Sequence, residues 1–194
     1  MSEIKSDYLV IGSGIAGLTF ALEVAEHGQV SLIAKSSLDN TNTSLAQGGV
    51  AAVVLDEDDP EHHAKDTHIA GADLCHRDAV DIMVKEASAR IDDLVERGVD
   101  FDRKSDGSFD LAREGGHSYH RVLHIADQTG RTIQEILIDR VKEHPNIHIY
   151  EHHMAVELIT DHHVLSNLQS AFNICFGAYV LNEKNGEVNI FHAD

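Results

Sequence analysis

The sequence predicts an α/β fold that begins with a parallel βαβ unit, continues through a helical insertion and ends in a β-meander. Residues 8–11 and 30–34 are short apolar runs typical of buried strands. Between them, residues 15–27 space their apolar side chains at helical intervals, and Gly28 is expected to end that helix as a left-handed C′ residue. A strand, a helix and a second strand in this order predict a parallel pair.

The middle of the chain is predicted to be mostly helical. An acidic turn over 56–60 precedes helical spacing over 61–74. A second amphipathic helix is predicted to start at an N-cap, Asp78, and to stop at Gly98. These two helices form the predicted insertion.

The remaining elements alternate between turns and regular segments. A hairpin is predicted around 105–107, a polar glycine loop over 113–117, and a helix over 131–143. Strand-like runs follow at 147–150, 155–160, 178–181 and 188–191, the last two joined by a turn at 184–186.

Composition excludes several classes of function. The chain has 194 residues, with 15 basic and 33 acidic side chains, and its formal net charge is −18. So acidic a chain repels phosphate backbones and anionic lipid surfaces, which excludes nucleic-acid and membrane-surface binding. The apolar run at 8–11 is too short for a membrane span or a secretory leader. A cytoplasmic protein is therefore expected.

Histidine, with 15 residues, raises the question of a metal site. His117, His120 and His124 have partly helical spacing, but no H-E-x-x-H occurs and the glycines beside His117 break a helix there. Cys75 and Cys175 lack C-x-x-C spacing and are expected to be small buried residues. No metal is therefore predicted. The histidine doublets expected on the solvated surface are 62–63, 152–153 and 162–163.

Six residues after the first strand satisfy the G-x-G-x-x-G pattern: Gly12, Ser13, Gly14, Ile15, Ala16 and Gly17. In such a motif Gly12 makes the tight turn, Gly14 lets the backbone approach a pyrophosphate, and Gly17 allows close packing of helix on strand. The phosphates then lie at the positive end of the helix dipole. The alternative is a glycine turn without a ligand, but the strand before it and the helix after it favour dinucleotide binding.

The choice between nicotinamide and flavin depends on the end of the second strand. Dinucleotide sites commonly carry an acid there to bind the ribose, whereas this strand ends in Ala34, Lys35 and Ser36. Lys35 either meets a phosphate, with ribose recognition left to the backbone, or is a solvated lysine.

Three groups of residues together resemble a known family. They are the glycine motif extended to Leu18, Lys35 with the stretch 42–52, and the stretches 113–118, 121–124 and 127–131. Together they closely resemble the L-aspartate oxidases, which belong to the flavoprotein family of succinate dehydrogenase and fumarate reductase. The third group is the most specific.

The resemblance implies a Rossmann-like FAD-binding domain and an FAD-dependent enzyme. Such an enzyme oxidises L-aspartate to iminoaspartate by hydride transfer to the flavin, with oxygen or fumarate as acceptor, in the first step of NAD biosynthesis. Residues 1–194 would form the N-terminal part of the domain, incomplete at its C-terminal end and without the capping and C-terminal helical domains of the family. The chain alone is therefore expected to be inactive. Beside the family, the stretch 161–176 is irregular and is expected to be an insertion. A transient contact with the next enzyme of NAD biosynthesis is also implied.

The resemblance also assigns cofactor-binding residues. Within the glycine motif, residues 13–16 would hold the pyrophosphate, and Lys35 would meet the nucleotide end. Met154 and Ala155 would contact the adenine side through their backbone. The residues that would wrap the flavin are Asn42, Thr43, Ser44, Leu45, Ala46, Gln47, Gly48 and Gly49. Membrane-complex relatives carry a histidine at the position of Asn42 that links covalently to the flavin, so the FAD here is expected to be non-covalent.

Glu114 and His117, both in the polar glycine loop, are the catalytic candidates. In the family a carboxylate at the position of Glu114 faces the substrate amino group, which it recognises by a charge-assisted hydrogen bond. The alternative is a solvent-facing loop residue. His117 is the one histidine expected near substrate or flavin. Two other functions stay open: a soluble fumarate reductase or succinate dehydrogenase-like flavoprotein, which Glu114 disfavours, and a non-catalytic nucleotide-binding fragment.

Overall fold

A computed structural model describes residues 2–72, 74–161 and 174–193 of the chain. It divides into two compact units: Met1–Ser44 with Leu137–Asp194, and Leu45–Ile136. No helix in the described ranges is long and apolar enough to cross a membrane. In chain order the elements are β1 (Glu3–Ser6), β2 (Tyr8–Ile11), α1 (Ile15–Val24), β3 (Val30–Ala34), α2 (Asn42–Leu45), β4 (Val50–Ala51), α3 (Pro60–Ala70), α4 (Arg77–Glu96), β5 (Leu111–Ala112), β6 (Val122–Leu123), α5 (Thr129–Glu143), β7 (Ile147–Glu151), β8 (His153–Thr160), β9 (Cys175–Asn182) and β10 (Glu187–Ala193).

The first unit contains a parallel sheet of order β2-β3-β7. β2 and β3 pair with Tyr8 opposite Val30, and α1 connects them. Every residue of β3 is buried, as expected for the central strand of such a sheet. The predicted parallel βαβ unit is confirmed.

The end of α1 differs from the prediction. The helix stops at Val24 with Ala25 as a right-handed C-cap (φ −65°), and Gly28 does not adopt the left-handed conformation, so the predicted cap at Gly28 is wrong. Gly28 is instead required by a close approach, because a Cβ there would lie 2.5 Å from Asp7 Oδ2. That carboxylate accepts the N–H of Gln29 at 2.6 Å, which ties together the segments that lead into β2 and β3.

An antiparallel β-meander of order β10-β9-β8 completes the first unit, and β1 joins β10 in parallel at its edge. The meander confirms the predicted strands and the turn that ends at Gly186, which has φ +73°. The sequence does not predict β1, because this strand is mostly polar and its partner lies at the other end of the chain. Ile4 of β1 packs against a buried cluster that contains Ile33 and Phe191.

The irregular stretch predicted over 161–176 lies mostly outside the described residues. Its last residues, from Cys175, belong to β9. Cys175 is exposed and Cys75 is half-buried, so the expectation of two buried cysteines is wrong. Both thiols are free, as their spacing predicts.

The second unit contains the predicted helical insertion. α3 begins at Pro60, directly after Asp59, whose side chain caps the helix by accepting the N–H of His62 at 2.9 Å. The helix ends at Ala70 and not at the predicted residue 74. Leu74 matches the helical spacing in the sequence, but its side chain is exposed and makes no contribution to a buried helix face.

The second helix of the insertion, α4, runs from Arg77 to Glu96. Asp78 lies inside its first turn, and the N-cap position is occupied by His76, so the predicted cap at Asp78 is wrong. A carboxylate in the first turn still interacts favourably with the helix dipole. Gly98, just after the helix, has φ +110°, which confirms the predicted stop.

A small antiparallel sheet of order β4-β6-β5 completes the second unit. Its central strand consists of Val122 and Leu123, both buried. The predicted hairpin forms around Gly107 (φ +88°) through the bridge between Arg103 and Phe109. Because β5 and β6 flank the predicted polar glycine loop, this sheet holds both ends of the loop.

Candidate functional site

The glycine turn between β2 and α1 has the geometry that its sequence predicts. Gly12 has φ +107°, a conformation that residues with side chains rarely adopt. A Cβ on Gly17 would lie 2.0 Å from the carbonyl oxygen of Gly12, so only glycine lets α1 start this close to the strand. Gly14, the N-cap of α1, has an extended backbone and carries no capping side chain. This cradle fits a pyrophosphate at the start of the helix.

Two hydroxyl residues hold the loop after β3 against this turn. Thr43 Oγ1 accepts the N–H of Ile15 at 3.1 Å. The buried Ser13 donates its hydroxyl to the carbonyl of Leu38, also at 3.1 Å. The structure therefore brings together three predicted cofactor residues, while Leu38 is an anchor that sequence reasoning missed.

Two residues at the end of β7 also hold the loop after β3. Glu151 accepts the N–H of Leu38 at 2.8 Å, and His152 donates its N–H to the carbonyl of Ser36 at 3.3 Å. The predicted Lys35 lies exposed between β3 and the loop. Sequence reasoning also missed Glu151. The feature that could have identified it is a carboxylate directly after the predicted strand 147–150.

The remaining predicted residues of the first unit lie on two other elements. Asn42 is exposed at the start of α2, where Ser44 donates its hydroxyl to the carbonyl of Asp39 at 2.6 Å. Met154 is exposed and Ala155 is half-buried, both on β8. Their assignment to the cofactor stays a prediction.

In the second unit, the predicted flavin segment 45–49 is exposed along its whole length. The first residue of α5 holds it in place, because the Thr129 hydroxyl donates to the carbonyl of Gly48 at 2.9 Å. A Cβ on Gly49 would lie 2.3 Å from the carbonyl oxygen of Leu123, so glycine is required at this close approach to β6.

The predicted catalytic residue Glu114 lies beside this segment. A Cβ on Gly48 would be 3.0 Å from Glu114 Oε1, so the carboxylate lies against the glycine backbone. Glu114 itself is exposed. The N–H of His117 donates to the carbonyl of Glu114 at 3.2 Å, which makes these residues the two ends of one tight turn. The structure thus brings both catalytic candidates together, with Glu114 next to a predicted flavin residue.

Next to this turn lies a buried ion cluster that sequence reasoning missed. Arg121, only 1% exposed, donates from Nε and Nη2 to the two oxygens of Asp58 at 2.6 and 2.9 Å. Its Nη1 donates to Asp66 Oδ2 at 2.6 Å. Bidentate pairing of this kind fixes the plane of a guanidinium group. The available signal is an arginine directly before a short apolar strand.

The charges of the cluster stabilise one another. Burial by itself raises the pKa of Asp66, but hydrogen bonds from Arg121 and Ser118 outweigh burial and lower the pKa to about 2. Burial by itself also raises the pKa of Asp58, but the hydrogen bond from Arg121 outweighs burial. The pKa of Asp58 is therefore lowered as well. The hydrogen bond to Asp58 raises the pKa of Arg121 despite its burial. One cation and two carboxylates leave the cluster with an excess of one negative charge at neutral pH.

Asp66 should make the stability of the protein depend on acidic pH. Its pKa falls from 3.8 to about 2 on folding, so its stabilising contribution is complete above about pH 4 and is lost as the pH falls through about 2. The difference corresponds to roughly 2 kcal/mol. Urea unfolding between pH 5 and pH 2.5 should therefore show a shallower loss of stability for Asp66→Asn than for the wild type. The exposed Asp56→Asn is the control and should follow the wild type. An identical pH dependence for Asp66→Asn and the wild type would refute this assignment.

His63, expected on the solvated surface, is buried, with 4% exposure, so that expectation is wrong. Consecutive helix residues point in different directions, and α3 turns His63 inward while His62 is half-buried. The His63 ring lies 5.6 Å from that of His117, centroid to centroid. Burial and the charge of Arg121 lower the pKa of His63. His152 and His153 are half-buried, and 162–163 lies outside the described residues.

The other histidines near the turn have separate partners. His120 Nδ1 lies 3.0 Å from the carbonyl of Leu111, and His124 Nδ1 lies 3.0 Å from Asp102 Oδ2. In the part of the chain that the structure describes, no group of three His, Cys, Asp or Glu side chains is placed to hold a metal ion.

The parallel βαβ unit and its glycine cradle define a dinucleotide-binding domain of the Rossmann type. Residues 7–194 match the FAD-binding domain family, and the chain belongs to this family. Its cofactor is therefore FAD.

Known proteins resemble this chain over nearly its whole length. An L-aspartate oxidase of Pseudomonas aeruginosa is 44% identical over 97% of this chain and 36% of its own length. A chloroplastic L-aspartate oxidase of Nicotiana tabacum is 45% identical over 94% of this chain and 27% of its own length. Among solved structures, an Escherichia coli quinol fumarate reductase superposes with a TM-score of 0.90 at 28% identity, over 100% of this chain and 32% of that one. The chain thus spans 27–36% of the length of these two L-aspartate oxidases.

Proposed function

We propose that this chain is the flavin-binding part of an L-aspartate oxidase. The enzyme would oxidise L-aspartate to iminoaspartate, with oxygen or fumarate as the final acceptor, in the first step of NAD biosynthesis. The observation that carries the proposal is the carboxylate of Glu114 lying against Gly48 in the predicted flavin segment. Identities of 44–45% to L-aspartate oxidases over nearly the whole chain support it.

The residues of this chain would bind and orient the reactants. FAD, when bound, supplies the acceptor for a hydride from the substrate α-carbon. The glycine turn and the start of α1 would hold the pyrophosphate, because backbone N–H groups and the helix dipole favour an anion there. Glu114 would bind the substrate ammonium by a charge-assisted hydrogen bond and orient the α-carbon. The same carboxylate is available to take the proton that the nitrogen loses as the imine forms.

We propose further that the FAD is held without a covalent bond. The residue assigned to the position of the flavin-linked histidine in membrane-complex relatives is Asn42, which is exposed at the start of α2. An amide side chain lacks the nucleophilic ring nitrogen that such a bond requires. The FAD would therefore be held by non-covalent contacts alone.

A succinate-oxidising or fumarate-reducing flavoprotein is the second candidate. It is favoured by the likeness of this chain to a fumarate reductase and to the Sdh1 complex of Mycobacterium smegmatis, which superposes with a TM-score of 0.86 at 27% identity. Glu114 argues against it, because succinate has two carboxylates and no ammonium to pair with a glutamate. A nucleotide-binding fragment without turnover is the third candidate.

Peroxide release by the full-length gene product separates these candidates. L-Aspartate, and not succinate, is expected to yield hydrogen peroxide. Glu114→Gln should lower kcat/KM for L-aspartate by roughly 10- to 150-fold, because a hydrogen bond to a charged group is worth about 1.5–3 kcal/mol. The control is Asp110→Asn, another exposed carboxylate of the second unit. If Glu114→Gln left both kcat/KM and the preference for L-aspartate unchanged, the proposed role of Glu114 would be wrong.

A further inference from the structure

Arg121 determines which nitrogen of His117 carries the proton. Nη1 of Arg121 lies 3.0 Å from Nδ1 of His117. A guanidinium group has donors and no acceptor, so Arg121 must donate and Nδ1 must accept. The proton of the neutral imidazole is therefore on Nε2. Because the Nδ1 lone pair is occupied, His117 offers its surroundings an N–H donor and not a base.

The guanidinium that sets this state cannot turn away. Asp58 binds it through two oxygens, and Arg121 and Asp58 are both almost fully buried, with side chains 1% and 3% exposed. Asp66 binds Nη1 of the same group. Asp66 also accepts the N–H of Ser118 at 2.7 Å and its hydroxyl at 2.7 and 2.9 Å. The residue after His117 is thus tied to the same cluster, which fixes the backbone as well as the ring.

The turn therefore presents two complementary groups. Glu114 and His117 are its first and last residues, joined by the hydrogen bond from the His117 N–H to the Glu114 carbonyl. The Glu114 carboxylate can accept from an ammonium, and His117 Nε2–H can donate to a carboxylate. An α-amino acid carries an ammonium and a carboxylate on the same carbon, so one tight turn suffices to contact both.

We propose that Arg121 is a positioning residue that holds His117 as an Nε2–H donor for the α-carboxylate of an amino-acid substrate, beside Glu114 as the acceptor for its ammonium. This inference rests on the proposed function for the nature of the substrate. It assigns to the buried Arg121, Asp58 and Asp66 a role in substrate recognition in addition to their structural one. His117 binds and orients, and takes no proton at Nδ1.

Two substitutions of His117 separate a donor at Nε2 from one at Nδ1. Glutamine places its amide nitrogen near the position of Nε2, whereas asparagine places it near Nδ1. In the flavin-loaded full-length gene product, His117→Asn should raise KM for L-aspartate about tenfold or more, with a much smaller change in kcat, and His117→Gln should recover most of the loss. If His117 had only a structural role, both variants would lose melting temperature and activity together. KM would then not change separately from kcat.

The tautomer can also be measured without turnover. In protein labelled with 15N histidine, and with His117→Gln used to assign the signal, His117 should show a pyridine-like Nδ1 and a pyrrole-like Nε2. Arg121→Lys, which keeps the charge but not the fork of donors, should lose this fixed tautomer. A protonated Nδ1 in the wild type would overturn the proposal.

The failures of the two proposals are distinguishable. If the wild-type protein does not oxidise L-aspartate, the proposed function fails, and with it the assignment of the ligand to His117. If the wild type oxidises L-aspartate but His117→Asn and His117→Gln have equal KM values, the proposed function stands and the role of His117 is wrong.

Discussion

Arg121→Met is expected to destabilise the protein by about 3–5 kcal/mol at pH 7, the cost of breaking a buried ion pair by removing one partner. Methionine fills a similar volume but leaves the carboxylates of Asp58 and Asp66 buried without their cation. Uncompensated burial should raise the pKa of both groups above the ordinary value of 3.8, so they should bind protons on folding and the destabilisation should shrink as the pH falls from 7 to 4. Urea unfolding of the protein at pH 7 and pH 4 measures both effects.

The matched control for this substitution is Arg90→Met. Arg90 pairs with Asp93 at 2.9 Å on α4, in the same unit of the chain, but its side chain is 59% exposed. Exposed pairs of this kind contribute about 0–1 kcal/mol, so the control should change the free energy of unfolding by no more than that. Equal effects of Arg121→Met and Arg90→Met would show that the buried cluster contributes no more to the free energy of unfolding than an exposed ion pair.

The sequence predicts best those elements whose signal is local. The βαβ start depends on two short apolar strands and on glycines at fixed offsets, and both Gly12 and Gly17 have the steric environment that the motif predicts. Gly28 shows the limit of such signals. Its position in the sequence suits a helix cap. The requirement for glycine comes instead from the close approach of Asp7, which precedes α1 in the chain, whereas Gly28 follows it.

The unpredicted features depend on partners that are distant in the sequence. β1 exists because Glu3 to Ser6 pair with residues 190–193. The ion cluster joins Arg121 to two carboxylates that lie 63 and 55 residues earlier. In a chain with 33 acidic residues, nothing local distinguishes Asp58 and Asp66 from solvated carboxylates. Only the hydrogen bonds that Arg121 and Ser118 donate to these carboxylates make that distinction.

The candidate site also combines features that local sequence predicts with features that distant residues determine. Glu114, His117 and the segment 45–49 follow from motifs, and the structure places Glu114 against Gly48. The orientation of His117 does not follow from any motif, because it is set by a hydrogen bond from Arg121. Motifs therefore predict which residues belong to the candidate site, whereas the buried residues around it decide which atoms they present.

Two glycine substitutions in the cradle should separate folding from flavin binding. Gly17→Ala would place a Cβ 2.0 Å from the carbonyl oxygen of Gly12, a backbone atom that cannot move without opening the turn between β2 and α1. We expect a loss of about 3 kcal/mol in the free energy of unfolding, at the upper end of typical overpacking costs. FAD binding should be lost with the turn, as measured by the flavin absorbance of the purified protein.

Gly14→Ala should weaken flavin binding without destabilising the fold. A Cβ there would meet Thr43 Oγ1 at 3.5 Å, an ordinary contact, and the backbone φ of −71° suits alanine. The stability of the protein without flavin should therefore stay within about 0.5 kcal/mol of the wild type, as for a substitution without a steric conflict. Flavin affinity should nevertheless fall, because the new methyl group stands where the backbone approaches the pyrophosphate. Unfolding in urea and flavin titration of the same two variants test both halves of this argument. Loss of stability in Gly14→Ala, or full flavin binding by Gly17→Ala, would show that the cradle does not work in this way.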